Sequence, residues 1–133
     1  MLNKSITIGI ANSNMDKVKD ELESLLNIKL EEHESSYLGR YFTSKPLGVE
    51  EFELSNNFVD DDWSEANFKD YILLLRFNTP QQPEKITAMV LNNINNSVFI
   101  KALETKTGEY LKVYDFIDGQ FVKIREKLLD KTK

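Results

Sequence analysis

The sequence predicts an α+β domain, a mostly antiparallel sheet packed against two amphipathic helices in the order β-α-β-β-β-α-β-β-β. Three observations carry this reading. Only two segments space their apolar residues at helical intervals, too few to sandwich a large parallel sheet. Much of the rest alternates apolar and polar residues, the period of a half-buried strand. The joins between alternating runs carry hairpin signals, above all Asp118–Gly119. A chain of 133 residues fits one such domain, residues 1–133, with a core of ordinary size.

Taken in order, "SITIGIAN" alternates at Ile6, Ile8 and Ile10 and reads as the first strand. Met15, Val18, Leu22, Leu25 and Leu26 then fall at helical spacing. Ser13 with Asp16 three residues on approximates a capping box, and Lys17–Glu21 and Lys19–Glu23 are four-apart ion pairs. "NIKLEEHES" reads as a connection. "SYLGRYFTS" reads as a strand with Tyr37, Gly39 and Tyr41 on one face and Leu38, Arg40 and Phe42 on the other, Gly39 marking a bulge or a close approach. "KPLG" is a turn, and "VEEFELSNNF" alternates Phe52 and Leu54 with acids. "YILLLRF" is an almost continuous apolar run, as expected of a central strand covered on both faces. A second helix, with Ile86, Met89, Val90 and Ile94 as its stripe, starts at Thr79–Pro80 or at Gln82–Pro83. "SVFIKALE", "EYLKVYDF" and "QFVKIRE" read as three strands, joined by "TKTG" and by Asp118–Gly119. The tail "KLLDKTK" is a short helix or frayed.

Composition narrows the function classes. Hydrophobic residues at 41% with charged residues at 29% describe a globular chain, not a disordered one. With no cysteine there is no disulfide, no thiolate catalysis and no cysteine-based zinc site. The N-terminus has no signal-peptide h-region, and no window approaches the roughly 18 apolar residues of a membrane span. The expected location is therefore cytoplasmic. The net charge of −5 is unevenly distributed: residues 31–70 hold eleven acids and three bases, the other residues eleven acids and fourteen bases. A middle segment of that sign repels phosphate backbones, so a basic protein surface is a better partner than nucleic acid.

Five of the eleven acids of that segment lie in "SNNFVDDDWSEANFKDY", where Asp60, Asp61 and Asp62 precede the single tryptophan, Trp63. An EF-hand loop needs ligands at alternate positions with a glycine at the sixth. Three consecutive aspartates diverge, so no metal and no cofactor is expected. His33 is the one histidine and stands in "EEHESS", a surface context. There is no nucleophile elbow and no phosphate-cradling glycine loop. The expected class is a binding protein, not an enzyme. Interfaces are built from a few aromatic anchors ringed by polar groups. Trp63 and Phe58 among Asp60, Asp61, Asp62 and Glu65 supply such a set, with Tyr37 and Glu34 as additions. The competing reading has Trp63 and Phe68 pinning the loop to the core, with the aspartates solvated or capping a helical turn at Trp63–Asn67.

The succession "HESSYLGRYF", "EEFELSNNF" and "NFKDYILLLRF" resembles small acidic bacterial immunity proteins encoded beside contact-dependent inhibition and other polymorphic toxins. The similarity spans about the first two-thirds of the chain and is structural in flavour. It implies a one-to-one complex with a cognate toxin domain that has a basic surface, often a nuclease, whose active site or substrate surface is occluded. It brings no catalytic residues. The alternatives are a small-molecule-binding regulatory domain, a hydrolase using His33, and a structural subunit. Homo-oligomerisation stays open.

Overall fold

A computed structural model describes residues 3–44, 51–78, 82–106 and 108–128. The described elements are β1 (Asn3–Ile10), α1 (Met15–Leu26), β2 (Glu31–Ser35), β3 (Gly39–Ser44), β4 (Glu51–Asn56), β5 (Phe58–Val59) and β6 (Asp62–Trp63). A 3-10 turn at Ala66–Phe68 leads to β7 (Leu73–Asn78), α2 (Pro83–Asn93), β8 (Ser97–Lys106), β9 (Tyr110–Ile117) and β10 (Gln120–Leu128). Eight strands form one sheet in the order β10-β9-β8-β1-β7-β4-β3-β2, and β5 with β6 forms a separate small hairpin. Every pairing is antiparallel. The chain is an α+β domain with two helices on a large antiparallel sheet.

Register divides the sheet into two faces, because residues directly opposite one another point the same way. Phe42, Leu54, Leu75, Ile8 and Phe99 stand in one cross-sheet row, and Phe52, Phe77, Ile6, Ala102 and Tyr114 in the next. This face meets the helices: Met15, Val18 and Leu22 of α1, Val90 of α2 and Ile94 join these residues in the core. Each fully buried side chain of this size contributes about 1.5–3 kcal/mol relative to exposure. Phe52 and Phe77 stack with ring centroids 5.2 Å apart. The opposite face carries Thr7, Gly9, Ser55 and Leu74, all buried although neither helix lies there. Residues 57–71 cover it.

Several expectations are refined. The run at 73–75 is central and buried on both faces. α1 is capped by Asn14, whose side chain accepts from the Lys17 amide at 3.1 Å, rather than by Ser13. Asn12 Oδ1 accepts from the Asn14 amide at 2.8 Å and holds the cap there. Lys19–Glu23 forms at 3.6 Å. α2 starts at Pro83 behind Gln82; residues 79–81 and the "KPLG" turn lie outside the described residues, as does the tail from 129. "EEHES", read as a connection, is the edge strand β2, and residues 36–38 are the turn joining it to β3. Gly39 marks the exit from that turn, with φ 70, not a bulge inside a strand. Asp118 and Gly119 adopt φ 53 and 80, the left-handed pair of a two-residue hairpin turn.

On the helix-side face of β8 and β9, Tyr110 and Tyr114 both donate to the Glu104 carboxylate, at 3.0 and 3.1 Å. Burial, and then the bond to Glu104, push the Tyr114 phenol up to about 12 from 10.0. The folded state thus holds that proton more tightly than the unfolded chain. The associated stability is complete below about pH 10 and is lost as the pH rises to about 12. Urea titrations over that interval should show the wild type losing more stability than Tyr114→Phe; equal losses would contradict this assignment.

Candidate functional site

The segment from Asn57 to Tyr71 folds onto the sheet through one side chain. Asn57 is fully buried where β4 ends. Its Oδ1 accepts from the Glu65 amide at 2.8 Å, and its Nδ2 donates to the carbonyls of Tyr71, Phe68 and Glu65 at 3.0, 3.1 and 3.3 Å. Two amide hydrogens serve three carbonyls, so one is shared. The Asn57 backbone amide donates to Ile72 O and its carbonyl accepts from Ser64, both at 2.8 Å. Both ends of the loop are thereby tied to one residue.

Two cations of the same sheet face fix the loop laterally. Arg76 and Lys101 flank Thr7 in a cross-sheet row. Arg76 Nη2 donates to Ser64 Oγ at 2.5 Å, while its Nη1 lies 3.7 Å from Glu53. Lys101 Nζ lies 2.8 Å from the Glu65 carboxylate, a side chain only 14% exposed. Gly9 lies beneath the loop's end. A Cβ there would stand 2.9 Å from Tyr71 Cβ and 3.0 Å from Ile100 Cδ1, so the close approach requires glycine.

From this base projects the β5–β6 hairpin. Phe58 pairs with Trp63 and Val59 with Asp62, which leaves Asp60 and Asp61 as a two-residue turn. Their φ values of 53 and 61 are left-handed at both positions, the conformation that matches strand twist. Aspartate tolerates this region better than most residues but still carries a cost of roughly 1–2 kcal/mol. The Phe58 and Trp63 rings meet edge-on at 5.0 Å, and Lys69 Nζ lies 5.9 Å from the indole centroid. Asp62 Oδ1 accepts from the Trp63 amide at 2.8 Å.

The hairpin brings Phe58, Asp60, Asp61, Asp62 and Trp63 together. Phe58 is 49% exposed, the three aspartates are exposed, and Trp63 is half-buried. Among the described residues none of the three aspartates has an ion-pair partner. Glu65 does not belong to this solvent face: Lys101 and the packed loop hold it inward. The helical turn placed at Trp63–Asn67 is instead a β bridge at Trp63 followed by the 3-10 turn at Ala66–Phe68. Tyr37, 59% exposed, tips the β2–β3 hairpin. Asn56 Nδ2 reaches Arg40 O at 3.5 Å, so this tip lies at the sheet end from which the β5–β6 hairpin departs. Glu34 is exposed on the edge strand opposite Arg40, on the helix-side face. Asn57, Arg76, Lys101 and Gly9 position the site and went unread. Their sequence neighbourhoods carry no pattern that sets them apart.

The chemistry open to this surface is recognition by charge and aromatic contact. Among the described residues no three carboxylates or imidazoles converge on a point where a metal would sit. Among the described residues every buried side-chain polar atom has a hydrogen-bond partner. His33 is exposed on β2, its Nε2 2.9 Å from Thr43 Oγ1 and its ring stacked on Tyr41 at 5.3 Å. The depression between the helices, lined by Asp20, Glu21, Leu25 and Asn93, is open to solvent. At the other end of α1, Arg40 pairs with Asp16 and with Glu32, which holds the Asp16 carboxyl below the usual carboxylate range. No helix among the described residues is long and apolar enough to cross a membrane. No family model matches the chain, and no curated protein matches it in sequence.

Two substitutions separate the base of the site from its tip. Asn57→Ala removes four side-chain hydrogen bonds and leaves buried carbonyls without donors, so it should cost about 3 kcal/mol or more by denaturant titration. Emission from the single tryptophan should shift to the red below the global transition; unchanged stability and emission would refute the role of Asn57. Asp61→Gly relieves the left-handed backbone and should stabilise by roughly 0.5–1 kcal/mol, where a loss would show that the turn is not as described.

Proposed function

We propose that this chain is a binding protein that neutralises a basic protein domain, in the manner of the bacterial immunity proteins it resembles. It would dock the β5–β6 hairpin on the target's active site or substrate surface. The observation that carries this reading is the pairing of three exposed aspartates with the Phe58–Trp63 aromatic pair on a hairpin anchored at its base. Fixing the hairpin in advance lowers the ordering cost of association. Carboxylates at the tip would steer a cationic partner and raise the association rate, and the rings would supply desolvated contact once docked. Tyr37 at the same sheet end widens the aromatic surface, while Glu34 adds charge at the β2 edge. Catalysis is not part of the reading, nor is direct nucleic-acid binding, and a cytoplasmic site of action goes with it.

The test begins with the neighbouring reading frame. Its C-terminal domain, expressed alone, should arrest growth, and co-expression of this chain should rescue it. With that domain as partner, Asp60→Lys with Asp62→Lys should slow association about tenfold or more at low ionic strength and much less at high salt. The circular dichroism spectrum should stay the same. Unchanged association at both salt concentrations would remove the hairpin from the interface; growth arrest without rescue would remove the function.

A further inference from the structure

Among the described residues no strand pairs with the outer side of β2 or of β10, and these two edges differ in charge. β2 carries Glu31, Glu32 and Glu34 and no lysine or arginine, whereas β10 carries Lys123, Arg125 and Lys127 against one acid, Glu126. Glu32 already bonds Arg40 at 2.9 Å, and Lys123 bonds Glu126 at 2.6 Å. Among the described residues Glu31, Glu34, Arg125 and Lys127 have no ion-pair partner. β10 also leaves apolar side chains uncovered: Val122, Ile124 and Leu128 are 41%, 61% and 76% exposed.

Charged side chains on an edge strand ordinarily block edge-to-edge pairing. Here the block is selective. Arg125 and Lys127 share one face of β10, whereas the bulge at Ile124 puts Lys123 on the other. Two copies joined through β10 about a two-fold axis at Glu126 would set Arg125 against Lys127 twice, and an axis at Arg125 would set that arginine against its own copy. Two β2 edges would oppose carboxylates to carboxylates. Only unlike edges match. Strand direction allows it: eight strands alternating in direction leave β2 antiparallel to β10. A second copy displaced along the sheet would therefore present β2 to β10 as the next antiparallel strand, with both pairs of helices on one side. The faces match as well. Arg125 and Lys127 lie opposite Val113 and Leu111, in rows that reach Ser5 and Asn3 of β1. Glu31 stands in the row that reaches Thr7. These β1 positions share one face, so Arg125, Lys127 and Glu31 do too.

We infer that copies of this chain associate head to tail, the basic β10 edge of one taking the acidic β2 edge of the next into a continuous antiparallel sheet. Such a heterologous contact builds an open chain of subunits, or a ring if the sheet twist closes it. It leaves the β5–β6 hairpin free and shares only the β2 edge, with Glu34, with the surface proposed for the basic partner; its five-residue partner strand makes it weak and salt-sensitive.

Sedimentation velocity on the full chain tests it. At low ionic strength the weight-average mass should rise about twofold or more between about 10 μM and about 1 mM protein, and added salt should reverse the rise. A monomer at every concentration would overturn the inference and leave the β10 edge to some other strand. Two charge-reversed variants sharpen the result. Lys123→Glu with Arg125→Glu and Lys127→Glu makes both edges acidic, and Glu31→Lys with Glu32→Lys makes β2 basic. Each alone should stay monomeric with an unchanged circular dichroism spectrum, and an equimolar mixture should associate again. Variants that assemble as the wild type does, or a mixture that fails to recover, would exclude the edge contact. The salt response of the wild type needs no variant to fold.

Discussion

A single amide side chain, buried where the fourth strand ends, governs how the second face of this sheet is covered. Covering a sheet face with a loop is hard because loop backbone carries amides and carbonyls that burial would strand. Asn57 meets that difficulty by having an acceptor and two donors of its own. It satisfies one amide and three carbonyls of the loop while its backbone binds two further residues. An aspartate in its place would lack the donors, and a leucine would lack both. Everything distinctive on that face follows from this closure: the inward Glu65, the outward hairpin and the half-buried indole between them.

The two sheet faces solve the burial problem in different ways. On one, helices supply apolar stripes to rows of phenylalanine, leucine and isoleucine, and the hydrophobic effect does most of the stabilising. On the other, a short polar loop lies over Thr7, Gly9, Ser55 and Leu74, held by directional bonds and two cations. A loop held by hydrogen bonds has a fixed geometry for little apolar area, a useful property in a surface that must present charge in one place. The exposed pair Arg40–Asp16 serves a lesser purpose, tying the start of α1 to β3. Solvent-exposed contacts of that kind add little stability.

Much of the architecture was legible because apolar periodicity reports directly on burial. Ile6, Ile8 and Ile10, the run at 73–75 and the stripe Met15, Val18 and Leu22 each occupy the place their spacing implies. Legibility failed where burial and periodicity part. β2 has no apolar residue because it is an edge strand exposed along most of its length, so it reads as a connection. The β5–β6 turn is Asp-Asp, without the glycine that advertises such a hairpin. The site was half legible. Phe58, Asp60, Asp61, Asp62 and Trp63 stand on one hairpin, the aspartates exposed and the indole, which the sequence left open between surface and core, half-buried. Glu65 looks identical to them in sequence and differs only because Lys101, far along the chain, reaches it. Asn57 cannot be told from its neighbour Asn56 without the fold, although one is fully buried and the other half-buried.

The central physical claim is that the hairpin stands on a base as firmly ordered as the sheet beneath it. Hydrogen exchange by NMR addresses that directly, since the Asn57, Ser64 and Glu65 amides are the donors that close the base. Their protection should approach that of the Leu75 amide in the central strand, while the Asp61 amide at the tip exchanges freely. If the Ser64 and Glu65 amides exchange as fast as that of Asp61, the loop is not anchored. The account of a surface fixed in advance for a basic partner then loses its foundation.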